Sequence, residues 1–127
     1  MHMPQPMTVQ HLISLVEQGR EVEALRMYYA PHAKTYENTD LPTIGLEALI
    51  AKEQRFLDSL KAMHIRKADS YIVDAERVAI NWHFEFITGQ GTLVYMNEIA
   101  YQLWENEQVV EERYYYDTAS LRVSGNT

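Results

Sequence analysis

The 127-residue chain contains no cysteine. Disulfides, zinc–thiolate centres and cysteine nucleophiles are therefore excluded. Basic residues are scarce as well: 11 Lys and Arg stand against 18 Asp and Glu, for a formal net charge of −7. Phosphate backbones and anionic bilayers are held by basic faces, so neither nucleic acid nor a membrane is an expected partner. No apolar run approaches the ~18 residues of a spanning helix, and the start lacks a signal-peptide pattern. Those two absences lead to the expectation of a cytoplasmic protein. None of the five histidines stands in a His-x-His or His-Glu-x-x-His pattern, so no metal site is expected. Gly89-Gln90-Gly91 lacks the helix and third glycine of a phosphate loop, and no serine sits in a nucleophile elbow. No repeat, linker or low-complexity tract divides the chain. It reads as a single domain over 1–127, with an ordered core from about 8 to 117.

What is present is organised around Thr92–Asp117, which reads as two long strands joined by a polar turn at Glu105–Gln108. In the first strand Leu93, Tyr95, Asn97, Ile99, Tyr101 and Leu103 share one parity, and Val94, Met96, Glu98, Ala100, Gln102 and Trp104 share the other. Successive side chains of a strand point to opposite faces, so the first set forms the more apolar face. The second strand, Val109–Asp117, carries charge and tyrosine on both parities. Before this hairpin, Arg77–Thr88 is a strong strand with Val78, Ile80, Trp82, Phe84 and Phe86 on one face, and Gly89–Gly91 supplies its turn. His83 and Glu85 lie on the other parity, as surface or interface residues. Ala62–Val73 reads as a more polar strand and Ser120–Thr127 as a frayed tail.

Upstream, Met1–Met7 reads as a loose arm. Thr8 caps a helix whose apolar face is Val9, Leu12, Ile13 and Val16, ended by Gly19. A second helix spans Arg20–Ala30 and stops at Pro31; a short extended piece and a loop follow to Thr43. The third helix runs from Gly45 to Leu60. Glu53 falls in the middle of its stripe of Leu46, Leu49, Ile50, Phe56, Leu57 and Leu60. A carboxylate there is costly unless it is paired or faces a polar cavity. Tyr28 and Arg26 of the second helix are the candidate partners. Helices first and a meander second define an α+β fold with helices packed on one face of a curved sheet.

Tyr29-Ala30 before the extended piece, Gly45-Leu-Glu-Ala-Leu49, Met96-Asn-Glu-Ile-Ala100 and the closing Glu111-Glu-Arg-Tyr-Tyr-Tyr-Asp117 carry a resemblance to the SnoaL-like branch of the nuclear transport factor 2-like superfamily. The resemblance spans about residues 8–117. It implies a cone-shaped α+β barrel, with three N-terminal helices packed on a curved, mostly antiparallel sheet around a small-molecule cavity. Relatives include ketosteroid isomerases, polyketide cyclases, epoxide hydrolases, dehydratases and plain binding domains, so the fold alone implies a pocket and not a reaction. Comparison with ketosteroid isomerase places its catalytic base at Glu37. Its oxyanion donors fall on Ile99 and near Leu12 or Ile13, which supply none and so speak against ketosteroid isomerisation.

The same comparison turns Trp82, Phe84, Phe86, Tyr95, Asn97, Glu112, Tyr114 and Tyr116 inward. His83, Glu85, Glu98, Gln102, Arg113 and Tyr115 then lie on the outer face, where superfamily members commonly dimerise. The expected site therefore has Glu37, Glu53 and Glu112 as catalytic carboxylates. Trp82, Phe84, Phe86, Tyr95, Asn97, Ile99, Tyr114, Tyr116 and Phe56 are the expected ligand contacts. Apolar walls raise a carboxylate's pKa, which suits it to acid–base work near neutral pH. Two readings follow: a cofactor-independent isomerase, cyclase or hydratase acting on a small apolar substrate, or a non-catalytic module binding a hydrophobic ligand or a protein partner. In both, a homodimer through Glu98, Gln102, Arg113 and Tyr115 is expected, and no cofactor.

Overall fold

The computed structural model describes residues 3–121. Helix α1 spans Pro6–Glu17, with its proline at the first helical position, where a missing N–H costs nothing. It buries Val9, Leu12, Ile13 and Leu15. Gly19 turns the chain with φ +81°, a conformation that glycine adopts without strain. Helix α2 spans Glu21–Tyr28, two residues shorter at its end than the sequence predicts. The residue before a proline is driven out of helical geometry, so Ala30 is already extended and Tyr29 opens strand β1, Tyr29–Glu37. After the two-residue strand β2, Thr43–Ile44, helix α3 runs from Leu46 to Ser59. Long strands β3 (Ala62–Asp74), β4 (Arg77–Ile87), β5 (Leu93–Glu105) and β6 (Gln108–Tyr115) complete the sheet. Of the predicted tail, Thr118–Leu121 forms a 3₁₀ turn, and the stretch from 122 onwards lies outside the described residues.

Three helices thus accompany a six-stranded sheet of order β2-β1-β6-β5-β4-β3. The sheet is mixed, because β1 runs parallel to β6 while every other described pair is antiparallel. It ends at β2 and β3, so the closed barrel expected from the resemblance is not what the strands form. Apolar side chains of α1 meet the even-numbered face of β4 and β5 in one core: Val9, Leu12 and Ile13 pack with Val78, Ile80, Trp82, Ala100 and Trp104. Several of these retain no solvent contact. Each large aliphatic side chain buried this way contributes about 1.5–3 kcal/mol.

Register decides which side chains reach the helices. The β4–β5 hairpin pairs Ile87 with Leu93, Phe84 with Met96, Trp82 with Glu98 and Val78 with Gln102. Residues opposite one another in a ladder share a face. Hence Met96, Glu98 and Gln102 stand beside the tryptophan and phenylalanines, under the helices. Tyr95, Asn97 and Ile99 point the other way; Tyr95 is 48% and Ile99 38% exposed. The inward orientation expected for Tyr95, Asn97 and Ile99 is therefore reversed, as is the outward one expected for Glu98 and Gln102.

Candidate active site

Between the helices and the sheet lies a cavity of about 450 Å³. Ring walls and aliphatic side chains form most of its surface. Trp82 and Phe84 stack with centroids 5.5 Å apart, and Phe56 meets Phe86 edge to face at 5.3 Å. Leu12 and Val16 of α1, Leu25 of α2 and Leu49 of α3 close the side facing the helices. Set into these walls are five carboxyls, Glu21, Glu37, Glu53, Glu98 and Glu112. The expected site residues Glu37, Glu53, Glu112, Phe56, Trp82, Phe84, Phe86, Tyr114 and Tyr116 all border the cavity. Tyr95, Asn97 and Ile99 do not.

The five carboxyls differ in what they touch. Glu112 is 2% exposed and fully engaged. Its Oε1 accepts the hydroxyls of Tyr29 and Tyr114, and its Oε2 accepts the Gln102 side-chain amide at 2.8 Å. The orientation of that amide is fixed one step further back, because the Trp104 indole N–H, which can only donate, gives its proton to Gln102 Oε1 at 2.8 Å. Burial nevertheless pushes the Glu112 pKa up, against the three hydrogen bonds that favour the anion. Burial, and then the charge of Glu112, pushes the Tyr29 and Tyr114 hydroxyls well above their ordinary range, so both remain donors.

Glu37 sits towards the rim at the end of β1. It accepts the Tyr116 hydroxyl at 2.9 Å and lies 3.3 Å from the Lys52 ammonium. Glu21 opens α2 and pairs with Arg66 of β3 at 2.5 Å; its other oxygen is buried without a partner.

Glu53 and Glu98 have no hydrogen-bond or ion-pair partner among the described residues, although both border the cavity. The pairing of Glu53 with Tyr28 or Arg26 does not form: Tyr28 bonds His11 and Arg26 bonds Glu47. Loss of hydration raises the Glu53 pKa from 4.5 to about 7, helped by the charges of Glu21, Glu112 and Glu37 and opposed by Arg66. Glu98 is 7% exposed. Burial lifts its pKa well above the carboxylate range, and Glu37, Glu112 and Glu53 add to the rise. The same burial favours the protonated form of Glu98, which can donate a hydrogen bond into the cavity, and Glu53, with its pKa of about 7, stands near the midpoint of its titration at neutral pH.

Sequence reasoning missed Glu98. The signal was arithmetic: the turn at 88–92 has an odd length, so even residues of β4 face even residues of β5, and Trp82 implies Glu98. Ile99, where the resemblance placed an oxyanion position, faces outward, and its neighbour Glu98 faces inward. Among the described residues no three His, Asp or Glu side chains gather tightly enough to hold a metal ion. No described helix is long and apolar enough to cross a membrane.

No protein-family model and no curated protein matches the sequence. Solved structures match by shape. A protein described as a SnoaL-like polyketide cyclase from Mesorhizobium loti aligns with a TM-score of 0.79 at 24% identity, covering 87% of this chain and 97% of its own. A second, from Jannaschia sp. CCS1, gives 0.78 at 15% identity over 94% and 92%. A protein of ketosteroid isomerase-like fold from Catenulispora acidiphila, in complex with trimethylamine, gives 0.76 at 14% over 92% and 90%. The fold of this chain is that of SnoaL-like, nuclear transport factor 2-like and ketosteroid isomerase-like proteins.

Proposed function

We propose that this cavity carries out cofactor-independent proton transfer on a small, mostly apolar substrate, as an isomerase, cyclase or hydratase. One observation carries the reading: two carboxyls without partners, Glu53 and Glu98, border the same aromatic cavity. Proton transfer needs a base that is ionised in part at working pH and a donor for the charge that develops. Glu53, with its pKa near 7, has the properties of the base. Glu98, whose pKa burial raises, has those of an acid that hydrogen-bonds a developing enolate oxygen. Glu37, the base implied by the resemblance, is held by Lys52 and Tyr116 and takes a supporting role at the rim. Similarity in fold to cyclases and to a trimethylamine complex supports a cavity that admits small organic molecules.

Solvent-deuterium incorporation into a panel of small aryl ketones, followed by NMR, tests this without knowledge of the natural substrate. The wild type is expected to catalyse exchange at the carbon next to the carbonyl. Glu53→Gln and Glu98→Gln should each lower it by about 10²-fold. Exchange unchanged in both variants, or none above buffer, would leave the non-catalytic binding module as the better reading.

The outer sheet face supports a second proposal, a homodimer. Tyr95, Ile99, Tyr101 and Tyr115 are 38–48% exposed there. Arg113 stacks 4.0 Å from the Tyr36 ring centroid and Arg77 5.3 Å from that of Tyr101. Exposed aromatics interleaved with arginine are characteristic of interfaces. Glu85 and Glu111 on the same face supply the opposite charge, which suits pairing with a second copy across a two-fold axis. The proposed interface uses Arg113 and Tyr115 with Tyr95, Ile99 and Tyr101; Glu98 and Gln102, expected there, border the cavity instead. Sedimentation velocity should give a dimer at micromolar concentration, and Ile99→Glu with Tyr101→Glu a monomer. A wild-type monomer would sink the proposal.

A further inference from the structure

The walls of the cavity are those of an apolar site, yet the charge set into them is lopsided. Among the described lining residues Lys52 is the only basic side chain, and it is taken by Glu37. The anions facing Glu53 are Glu21 of α2, Glu37 of β1 and Glu112 of β6; the cation facing it is Arg66 of β3, already paired with Glu21. Glu98 faces Glu37, Glu112 and Glu53. Three of the five carboxyls thus have dedicated partners, and two have none.

Glu98 is the sharper case. It is more than nine-tenths buried, borders the cavity, and has no hydrogen bond within the described chain. A carboxyl in that position is costly to ionise unless a positive charge arrives. A neutral apolar ligand deepens the cost by driving out the remaining water. An organic cation reverses it, gaining from the carboxyls and from ring faces whose quadrupoles attract positive charge. Trp82 and Phe84, stacked in the wall, supply such faces. A metal ion fits less well, because no three described carboxyl or imidazole groups converge.

We infer that the ligand of this cavity is an organic amine: a largely apolar molecule with one protonated or quaternary nitrogen, which answers Glu53 and Glu98 while its apolar part lies against the aromatic wall. The inference rests on the reading of the cavity as the ligand site and names the class of molecule it takes. Binding such a cation draws the carboxyls towards their ionised form, so it releases protons near pH 7 and tightens as pH rises.

Benzyltrimethylammonium and its uncharged isostere neopentylbenzene separate charge from shape. Titration followed by tryptophan fluorescence, to which Trp82 in the cavity wall contributes, should show the cation binding about tenfold more tightly than the isostere at about pH 8. The advantage should shrink at about pH 5.5, where Glu53 keeps its proton. Calorimetry near pH 7 in two buffers of different ionisation enthalpy should read proton release on binding of the cation and none for the isostere. Glu53→Gln and Glu98→Gln should each weaken the cation about tenfold and leave the isostere unchanged, which a loss of folding would not do. Equal or tighter binding of the isostere overturns the amine inference and leaves the cavity reading standing. Silence of the fluorescence to both probes overturns the two together.

Discussion

Two groups of carboxyls share one cavity and follow opposite rules. Glu112 is the more deeply buried, yet two tyrosines and a glutamine answer both its oxygens, and Trp104 holds the glutamine in place. Glu53 and Glu98 have similar walls and no donors. A saturated buried carboxyl stiffens the sheet it bridges; an unsaturated one destabilises the folded chain while the cavity is empty. On the proposed reading, fold stability and site chemistry fall to different members of one acidic set, a division that strained or unsatisfied groups at functional sites commonly reflect.

The sharpest way to break that contrast is Glu112→Leu. Two hydroxyls and one amide lose their acceptor inside the protein, and urea unfolding should report a loss of about 3 kcal/mol or more. Glu98→Leu should run the other way, costing little or stabilising, because it removes a buried polar group and orphans no donor.

The next largest effect is on pH dependence. Glu53 binds its proton more tightly folded, with a pKa of about 7, than at the ordinary 4.5. The unfolded chain therefore ionises first, and the contribution of Glu53 to stability is greatest below about 4.5 and is lost as pH rises through about 7. The contribution of Glu53 to that fall should be about 2 kcal/mol, allowing for its partial contact with solvent. Glu53→Gln should flatten the slope near pH 7 in denaturation curves recorded across this range.

Smallest of all should be Glu37→Gln. Its partner Lys52 is 40% exposed and Glu37 itself 26%, so the ion pair is worth under about 1 kcal/mol. A thermal melt should barely move. A loss as large as that of Glu112→Leu would show that the rim and the floor are not distinct.

Helix faces, the order of elements along the chain and the inward face of β4 were legible because each rests on long segments with one clear period. Val78, Ile80, Trp82 and Phe86 are all buried, as alternation predicts. The third helix showed its anomaly too: Glu53 stands out as a charge inside an apolar stripe. β5 misled because its large apolar residues favour the wrong face. Leu93, Tyr95, Ile99, Tyr101 and Leu103 outnumber Val94, Met96, Ala100 and Trp104, since the inward side also carries Glu98 and Gln102 at the cavity and the outward side is an aromatic surface. Hydrophobic alternation assumes that the inside is the greasier side, and here that assumption fails. Hairpin register, which depends on loop length and not on hydrophobicity, pointed the right way. The partners of Glu112 come from β1, β5 and β6, separated by up to 83 residues, and no local pattern encodes such a meeting.

Strand β3 lies outermost on the sheet, 13 residues long, with only β4 beside it. A long, regular margin of free amides and carbonyls invites another chain to add on and so seeds fibrils. This margin is broken twice, between Met63 and Ile65 and between Ala68 and Ser70. At the second break the carboxylate of Glu17, reaching from α1, accepts the Ala68 N–H at 3.0 Å. Exposed His64, Lys67 and Asp69 stud the rest. An incoming strand would meet an interrupted template, a blocked amide and a charged fringe. The protein is thereby protected against runaway polymerisation along its most vulnerable border.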